Sequence, residues 1–208
     1  MDKEEQFIQI FKQAEKKYKK NTYRLAAEGW DTDWKVLITT IMSAQSRDET
    51  TIPIAEALFK KYSTLHKLAR AKYDDVLVII KGMNYNRTKT KHVIAAAQYI
   101  LKEFNGVIPQ DLDRLTEIPG VGRKTANLVV TEVFDKPGIC VDTHVHRISN
   151  ILGLVKTATP DQTELALKSY VPKKYWKYIN RYFVLWGKDC PSREKDVLLA
   201  SLNEATRH

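Results

Sequence analysis

Cysteine is scarce in this chain of 208 residues, which contains only Cys140 and Cys190. Two thiols cannot form a framework of several disulfides or supply a four-thiolate metal site. The charged start MDKEEQFIQI also lacks the apolar core of a signal peptide. We therefore expect an intracellular protein of the cytoplasm or nucleoid.

Long apolar runs, internal repeats and low-complexity tracts are missing as well. No stretch approaches the roughly 18 apolar residues that cross a bilayer, so we expect no membrane partner. Hydrophobic residues make up 43% of the chain and charged residues 28%, a balance typical of folded proteins and too apolar for a disordered one. The length fits a body of one or two lobes.

Acidic residues are outnumbered by basic ones, 25 against 34, which leaves a formal net charge of +9. The average field around such a protein attracts polyanions. Nucleic acid is therefore the leading class of partner.

Apolar residues recur at spacings of three and four, the period of amphipathic helices. Hairpin-turn signals between β-branched runs are missing, so we predict an all-α fold with short connections. Phe7, Ile10 and Phe11 mark a first helix, and Trp34 to Met42 mark a second. Further helices are predicted at 54–62, 74–80, 88–104, 124–134, 143–152, 162–170, 174–186 and 195–205.

The segment LTEIPGVGRKTANLVV, at 115–130, carries the first specific signal. Its Gly-x-Gly turn opens a helix, and glycines there let backbone N–H groups face an anion such as a phosphate. Arg123 and Lys124 follow at the helix start, where cations are locally unfavourable unless an anion offsets them. The alternative is a tight helix–helix turn whose glycines serve packing alone.

Three further segments lie around this hairpin in a fixed order: IMSAQSRDE at 41–49, the stretch from Gly82 to Lys91, and VDTHVHRISN at 141–150. Together with the hairpin they resemble the endonuclease III family of helix-hairpin-helix DNA glycosylases. The resemblance covers most of residues 30–190. The hairpin alone also occurs in ligases, polymerases and other DNA-binding proteins.

The resemblance implies an all-α fold of two lobes. Residues 26–133 would form a six-helix barrel that contains the helix-hairpin-helix at about 112–133. Residues 1–25 and 134–208 would form the second helical lobe. Damaged double-stranded DNA would lie across the cleft between the lobes, and the protein would act as a monomer.

The same resemblance assigns the chemistry to Lys124 and Asp142. A lysine amine at this position attacks C1′ of the damaged nucleotide, expels the base and forms a Schiff base, after which β-elimination breaks the strand. Asp142, 142 − 124 = 18 positions later, would assist as an ionised carboxylate. Taken without the family, Lys124 reads as a phosphate contact and Asp142 as a helix N-cap.

The family also implies how the base is reached, because a glycosylase must extrude its target nucleotide. Gln45 is the candidate that fills the vacated space, and Met83 or Tyr85 is the candidate wedge, in a loop with what looks like one inserted polar residue. Carbonyls of Thr116, Ile118 and Val121 would hold a monovalent cation. The remaining candidates for DNA contact are Pro119, Gly120, Val121, Gly122, Arg123, Thr125, His144 and Arg147.

The chain departs from the family at its end, where most relatives carry four cysteines that hold a 4Fe–4S cluster. Cys190 matches the approach to the first ligand, and no cysteine follows. We therefore expect no cluster and no other cofactor. Leu198, Leu199 and Leu202 instead predict a closing helix that buries apolar surface.

The expected activity is that of a bifunctional DNA glycosylase and abasic-site lyase, acting on oxidised or fragmented pyrimidines. Uracil or thymine mismatches, 8-oxoguanine and pyrimidine dimers are alternative lesions for the same enzyme. A non-catalytic DNA-binding protein is the alternative from another class. An adenine glycosylase fits poorly, because that branch lacks the lysine.

Overall fold

The computed structural model describes residues 2–203, and within this range the secondary structure is helical, without strands. The predicted all-α class is confirmed. The chain divides into two compact units. One unit is Arg24–Asp135, and the other is formed by the residues before and after it.

The unit Arg24–Asp135 is built around a central helix. Every residue from Val36 to Met42 is buried, as expected for a helix covered on all sides. The third, sixth and eighth helices of the chain pack against it. The helices of this unit are α2 (Asp33–Ser43), α3 (Asp48–Lys61), α4 (Leu65–Ala69), α5 (Tyr73–Ile80), α6 (Asn86–Phe104), α7 (Leu112–Thr116) and α8 (Arg123–Phe134).

The other unit has an aromatic core in which Phe7, Phe11, Phe183 and Trp186 are fully buried. Large apolar side chains of this kind contribute about 1.5–3 kcal/mol each when buried. The eleventh helix packs against the first and the ninth. The helices are α1 (Lys3–Tyr18), α9 (Thr143–Ile151), α10 (Pro160–Lys168), a 3-10 turn (Lys173–Tyr175), α11 (Trp176–Asp189) and α12 (Lys195–Ser201).

Two short helices, α4 and α7, were missed by the periodicity because five residues are too few to show a period. Each is fixed by a side-chain cap: Thr64 accepts from the N–H of Lys67, and Asp111 accepts from two N–H groups of α7. Helix α3 begins before the predicted start at residue 54, and it contains Pro53. Pro53 is the sixth residue of α3, so the N–H that proline lacks belongs to the i→i−4 ladder, and the helix continues past this missing hydrogen bond to Lys61.

The predicted closing helix is present as α12, which buries Leu198 and follows Glu194 as N-cap. It was expected to reach residue 205, but residues 204 and 205 lie outside the described range. Ser192 lies in the preceding turn, where its hydroxyl accepts from the N–H of Glu194. Over residues 2–203, no helix is both long and apolar enough to cross a membrane.

Candidate active site

The hairpin between α7 and α8 is a tight turn with a buried apolar anchor. Leu115, Ile118 and Val121 are buried, and the N–H of Val121 donates to the carbonyl of Ile118 at 3.0 Å. Gly120 has a φ of +83°, and a Cβ there would lie 2.8 Å from Cβ of His92. A side chain is therefore excluded at Gly120 by both backbone conformation and packing.

Gly122 differs from Gly120, since its φ is −94° and a Cβ would meet nothing within 4 Å. It is the N-cap of α8, and no side chain caps the N–H groups of the first turn. The first turn also contains no acidic residue. An uncapped helix start of this kind binds anions through its N–H groups and its dipole.

Two cations stand at this helix start. Arg123 and Lys124 are exposed, whereas Thr125 is buried beside them. Among the residues that the structure describes, the Lys124 amine has no hydrogen bond or ion pair. Lys124 is thus an accessible amine held on a rigid element next to a candidate phosphate seat.

The proposed monovalent-cation ligands lie in the same turn. The carbonyl of Ile118 accepts from Val121 N–H, and the hydroxyl of Thr116 donates to the carbonyl of Asp113 at 2.7 Å. Carbonyl oxygens suit hard cations, but the identity of any ion at this turn stays a prediction. Pro119 is half-buried within the turn.

Gln45 lies in a turn that follows α2 and has a left-handed backbone, with a φ of 53°. This conformation costs a non-glycine residue about 1–2 kcal/mol, and its side chain is exposed. The turn is closed by a 3.0 Å hydrogen bond from the N–H of Ser46 to the carbonyl of Ser43. Strained backbone of this kind is frequent at ligand clamps.

The two candidate wedges, Met83 and Tyr85, differ in exposure within the loop before α6. Met83 is 3% exposed and belongs to the apolar core of the unit. Tyr85 is 65% exposed, and its φ of 56° is again left-handed. Only Tyr85 therefore has a side chain free to enter a duplex.

Two side chains that the sequence reasoning did not single out join these loops. The amide of Asn84 donates to the carbonyl of Gln45 at 3.1 Å, and the amine of Lys89 lies 2.6 Å from the hydroxyl of Ser46. Lys89 shares the buried face of α6 with Val93 and other apolar residues. A lysine on that apolar stripe was the signal that could have revealed it.

In the other unit, Asp142 caps α9. Its Oδ1 accepts from the N–H of Val145 at 2.9 Å, which confirms the predicted N-cap. Asp142 is half-buried and interacts electrostatically with Arg147. The capping role leaves room for catalysis.

His144 and Arg147 extend from the same helix towards the end of α11. The ring of His144 lies so close to Gly187 that a Cβ on the glycine would collide with it. The guanidinium of Arg147 donates to the carbonyls of Ser192, Gly187 and Cys190. Burial lowers the pKa of Arg147, while Cys190 and Asp142 act in the opposite direction. Arg147 thus fixes the chain after α11, and its DNA contact stays a prediction.

His146 points away from that cluster into a hydrogen-bonded network. Its Nδ1 lies 2.7 Å from the hydroxyl of Thr163, and Asn150 contacts both this ring nitrogen and the carbonyl of His146. The histidines two positions apart therefore have different neighbours. Nowhere in residues 2–203 do three His, Cys, Asp or Glu side chains come together as a metal site.

The segment after α11 is held by contacts that need no metal. Cys190 is buried, the amine of Lys17 forms a 2.8 Å ion pair with Asp189, and the indole of Trp186 donates to Ser201 at 2.9 Å. Lys17 also donates to the carbonyl of Ser201 at 2.7 Å. These contacts join α1, α11 and α12 directly.

Residues 38–173 match the family model of the HhH-GPD superfamily base excision DNA repair protein. Endonuclease III of Thermotoga maritima is 43% identical over 159 residues, which cover 76% of this chain and 75% of that protein. Endonuclease III of Synechocystis is 34% identical over 167 residues, which cover 79% and 76%.

Solved structures give the same result. A trapped endonuclease III–DNA covalent intermediate superposes with a TM-score of 0.83 at 28% identity, covering 90% of this chain and 87% of that one. A thermostable thymine-DNA glycosylase reaches a TM-score of 0.80 at 17% identity, covering 92% and 91%. The second likeness supports the fold alone.

Proposed function

Because the chain belongs to the endonuclease III family of the HhH-GPD base excision DNA repair superfamily, we propose that it excises oxidised pyrimidines from duplex DNA. It is a bifunctional enzyme, a DNA glycosylase and an abasic-site lyase. It acts as a monomer. Its location is the cytoplasm or nucleoid. A six-helix barrel at 26–133 would carry the hairpin, and the compact unit Arg24–Asp135 supports those bounds.

Lys124 is the proposed nucleophile, and one observation carries this assignment. Its amine is exposed and unpaired among the described residues, on the first turn of α8 directly after the glycine turn. A cation at the first turn of a helix opposes the helix dipole, so this position does not stabilise the fold. The arrangement instead presents an amine beside the uncapped helix start, where a DNA phosphate would bind.

The reaction divides into two steps. The neutral amine of Lys124 attacks C1′, the bond from C1′ to the base breaks, and the base leaves with its electron pair and takes up a proton. The amine loses its proton as the sugar ring opens to a protonated Schiff base. Loss of a C2′ proton then supplies the electrons that break the C3′–O bond, which releases the downstream strand with a 5′ phosphate. Water hydrolyses the remaining Schiff base and frees the amine of Lys124. Covalent catalysis thus replaces one difficult step by two easier ones.

Asp142 is the proposed second catalytic group. Its Oδ1 is engaged with the N–H of Val145, which fixes the carboxyl in one orientation. A fixed carboxylate stabilises positive charge that develops on the sugar, or accepts the proton that the attacking amine must lose. The capping hydrogen bond holds the carboxylate in place before the substrate binds, so the capping and catalytic roles are compatible.

Base extrusion is assigned to Gln45 and Tyr85. Both side chains are exposed, and both backbones are held in the left-handed region. We propose that Gln45 fills the space that the flipped nucleotide leaves and that Tyr85, rather than the buried Met83, is the wedge. Unstacking costs a few kcal/mol, which these side chains offset by replacing lost stacking.

The cluster that many relatives carry does not fit this chain. A 4Fe–4S cluster needs four cysteine ligands, and residues 191–208 contain none after Cys190. The contacts of α12 with Trp186 and Lys17 support a purely protein-based closure. Iron analysis of purified protein tests this, and stoichiometric iron would contradict it.

Borohydride trapping tests the proposed chemistry. Duplexes with thymine glycol, uracil, 8-oxoguanine or a plain abasic site are incubated with enzyme and reductant, and covalent adducts are counted. We expect adducts with thymine glycol and the abasic site, and none with Lys124→Gln. The matched control is Arg123→Gln, which removes the neighbouring charge, should weaken binding and should still form the adduct. An adduct that survives Lys124→Gln would remove Lys124 from the mechanism.

The same panel separates the alternatives. Neither the other lesions nor a non-catalytic binding role is favoured by any observation on the described residues. Preferred trapping on uracil or 8-oxoguanine would change the lesion and keep the chemistry. Binding without any adduct would point to the non-catalytic protein.

A further inference from the structure

Lys89 is a buried cation on the inner face of α6. Its residue is 4% exposed, and it lies on the stripe that buries Val93, Ala96, Ala97 and Ile100. Positions of this kind are normally apolar. The lysine is therefore an exception within an otherwise regular helix.

This burial is unfavourable for the charged amine. Desolvation lowers the pKa of Lys89 to about 8. In the described part of the chain, the only side-chain partner of its amine is the hydroxyl of Ser46, at 2.6 Å. Within residues 2–203 no carboxylate forms an ion pair with this amine, so an apolar side chain of similar length would fit the core better. A residue that costs stability where it lies points to function.

The partner of Lys89 identifies that function. Ser46 directly follows Gln45 in the strained turn, and the carbonyl of Gln45 is held by Asn84 from the same side of the unit. The backbone N–H of Lys89 also donates to the carbonyl of Tyr85 at 2.9 Å. One residue of α6 therefore contacts the turn of the proposed plug with its side chain and the loop of the proposed wedge with its backbone.

We propose that Lys89 is a positioning residue for base extrusion, whose ammonium holds Ser46 and thereby presents the side chain of Gln45 to the duplex. The inference rests on the proposed role of Gln45. A turn fixed before binding loses little conformational freedom when it enters DNA, which favours insertion. Without the amine, the strained turn relaxes and must be reordered at each encounter.

The test compares four variants by the fluorescence of 2-aminopurine placed beside thymine glycol in a duplex, which rises as the bases unstack. Lys89→Met removes the charge and keeps the length of the side chain. Ser46→Ala removes the acceptor and leaves the amine. Gln45→Ala removes the plug itself. The control is Lys102→Met, since Lys102 lies exposed near the other end of α6.

We expect Lys89→Met and Ser46→Ala each to slow extrusion about tenfold, the loss of about one hydrogen bond to a charged group. The two should differ in melting temperature: unchanged or raised for Lys89→Met, and lowered for Ser46→Ala, which leaves a buried amine without its partner. If extrusion is slowed both in the more stable variant and in the less stable one, the slowing cannot come from unfolding and must come from the lost positioning of Gln45. The control should behave as wild type.

A double-mutant cycle shows whether Lys89 acts through Gln45. In a protein that already carries Gln45→Ala, Lys89→Met should slow extrusion little further, because the side chain that Lys89 positions is absent. Wild-type extrusion by Lys89→Met and Ser46→Ala, or a further tenfold slowing on top of Gln45→Ala, would overturn the proposal.

Trapping on single-stranded abasic DNA distinguishes an error in the proposed role of Lys89 from an error in the proposed function. A single strand has no helical gap to fill, so Lys89→Met should form the adduct at the wild-type rate while Lys124→Gln forms none. Loss of the Lys124 dependence would contradict the proposed chemistry. A slowed adduct with Lys89→Met would contradict the role of Lys89 alone.

Discussion

The side-chain amide of Asn84 donates a 3.1 Å hydrogen bond to the backbone carbonyl of Gln45, 39 positions earlier in the chain. Asn84 lies in the loop after Gly82, for which the sequence predicts one inserted polar residue relative to the family pattern. The hydrogen bond ties the loop of Tyr85 to the turn of Gln45.

Replacing Asn84 by alanine should slow excision of thymine glycol without unfolding the protein. The lost hydrogen bond supports a backbone that is already strained, so we expect a loss of about threefold to tenfold, as for one neutral hydrogen bond. Single-turnover excision measures it. Asn86→Ala is the matched control, because the amide of Asn86 donates to the carbonyl of Lys81 instead. Equal losses in both variants would argue against a specific role for Asn84.

The sequence predicted the site where local pattern determines geometry. The glycine turn, the start of α8 and the cap by Asp142 depend on neighbours within a few residues. The choice between Met83 and Tyr85 could not be made, because the local sequence does not determine which of the two side chains faces the core. Lys89 was missed for a different reason, since its partner Ser46 lies 43 positions away.

Asp142 offers a way to separate its two roles. Asn is about as good an N-cap as Asp, whereas Ala costs about 1 kcal/mol. We therefore expect Asp142→Asn to melt close to wild type and Asp142→Ala to melt lower. Both should lose at least about 100-fold in base excision, as expected when a general acid–base or charge-stabilising group is removed. Single-turnover kinetics and thermal melts measure these effects. An active Asp142→Asn would reduce the residue to a cap.

Gly120 and Gly122 form a pair that separates folding from phosphate binding. Gly120→Ala meets both a positive φ and the side chain of His92, and should destabilise the fold by about 1–3 kcal/mol. Gly122→Ala has an ordinary φ and open space, so it should cost less, up to about 1 kcal/mol, because alanine is a poorer N-cap than glycine. Its methyl group nevertheless obstructs the uncapped N–H groups of α8.

DNA affinity by fluorescence anisotropy, measured beside thermal melts, checks that pair. We expect Gly122→Ala to bind duplex DNA more weakly although it melts at a higher temperature than Gly120→Ala. Unchanged affinity would favour the reading in which the glycines serve packing alone.

The last prediction concerns the pH dependence of stability, which Lys89 should set in a known direction. Burial lowers the pKa of Lys89 to about 8 in the folded protein, against about 10.4 for an unperturbed lysine. Between these two pKa values the unfolded chain binds more protons than the folded one, so the free energy of unfolding increases as the pH rises. Below pH 8 the full penalty of burying the charge is present.

Lys89→Met lacks the titrating group and so lacks this penalty. Its free energy of unfolding should exceed that of wild type at neutral pH by on the order of 1–3 kcal/mol, from the size of the pKa shift less the lost hydrogen bond. The difference should shrink as the pH rises from 8 towards 10, because wild type then buries a neutral amine. Urea unfolding at several pH values measures it. Lys102 is exposed and its pKa is raised by Glu103, so Lys102→Met cannot reproduce this trend. A constant difference across the window would mean that the amine of Lys89 is not buried in its charged form.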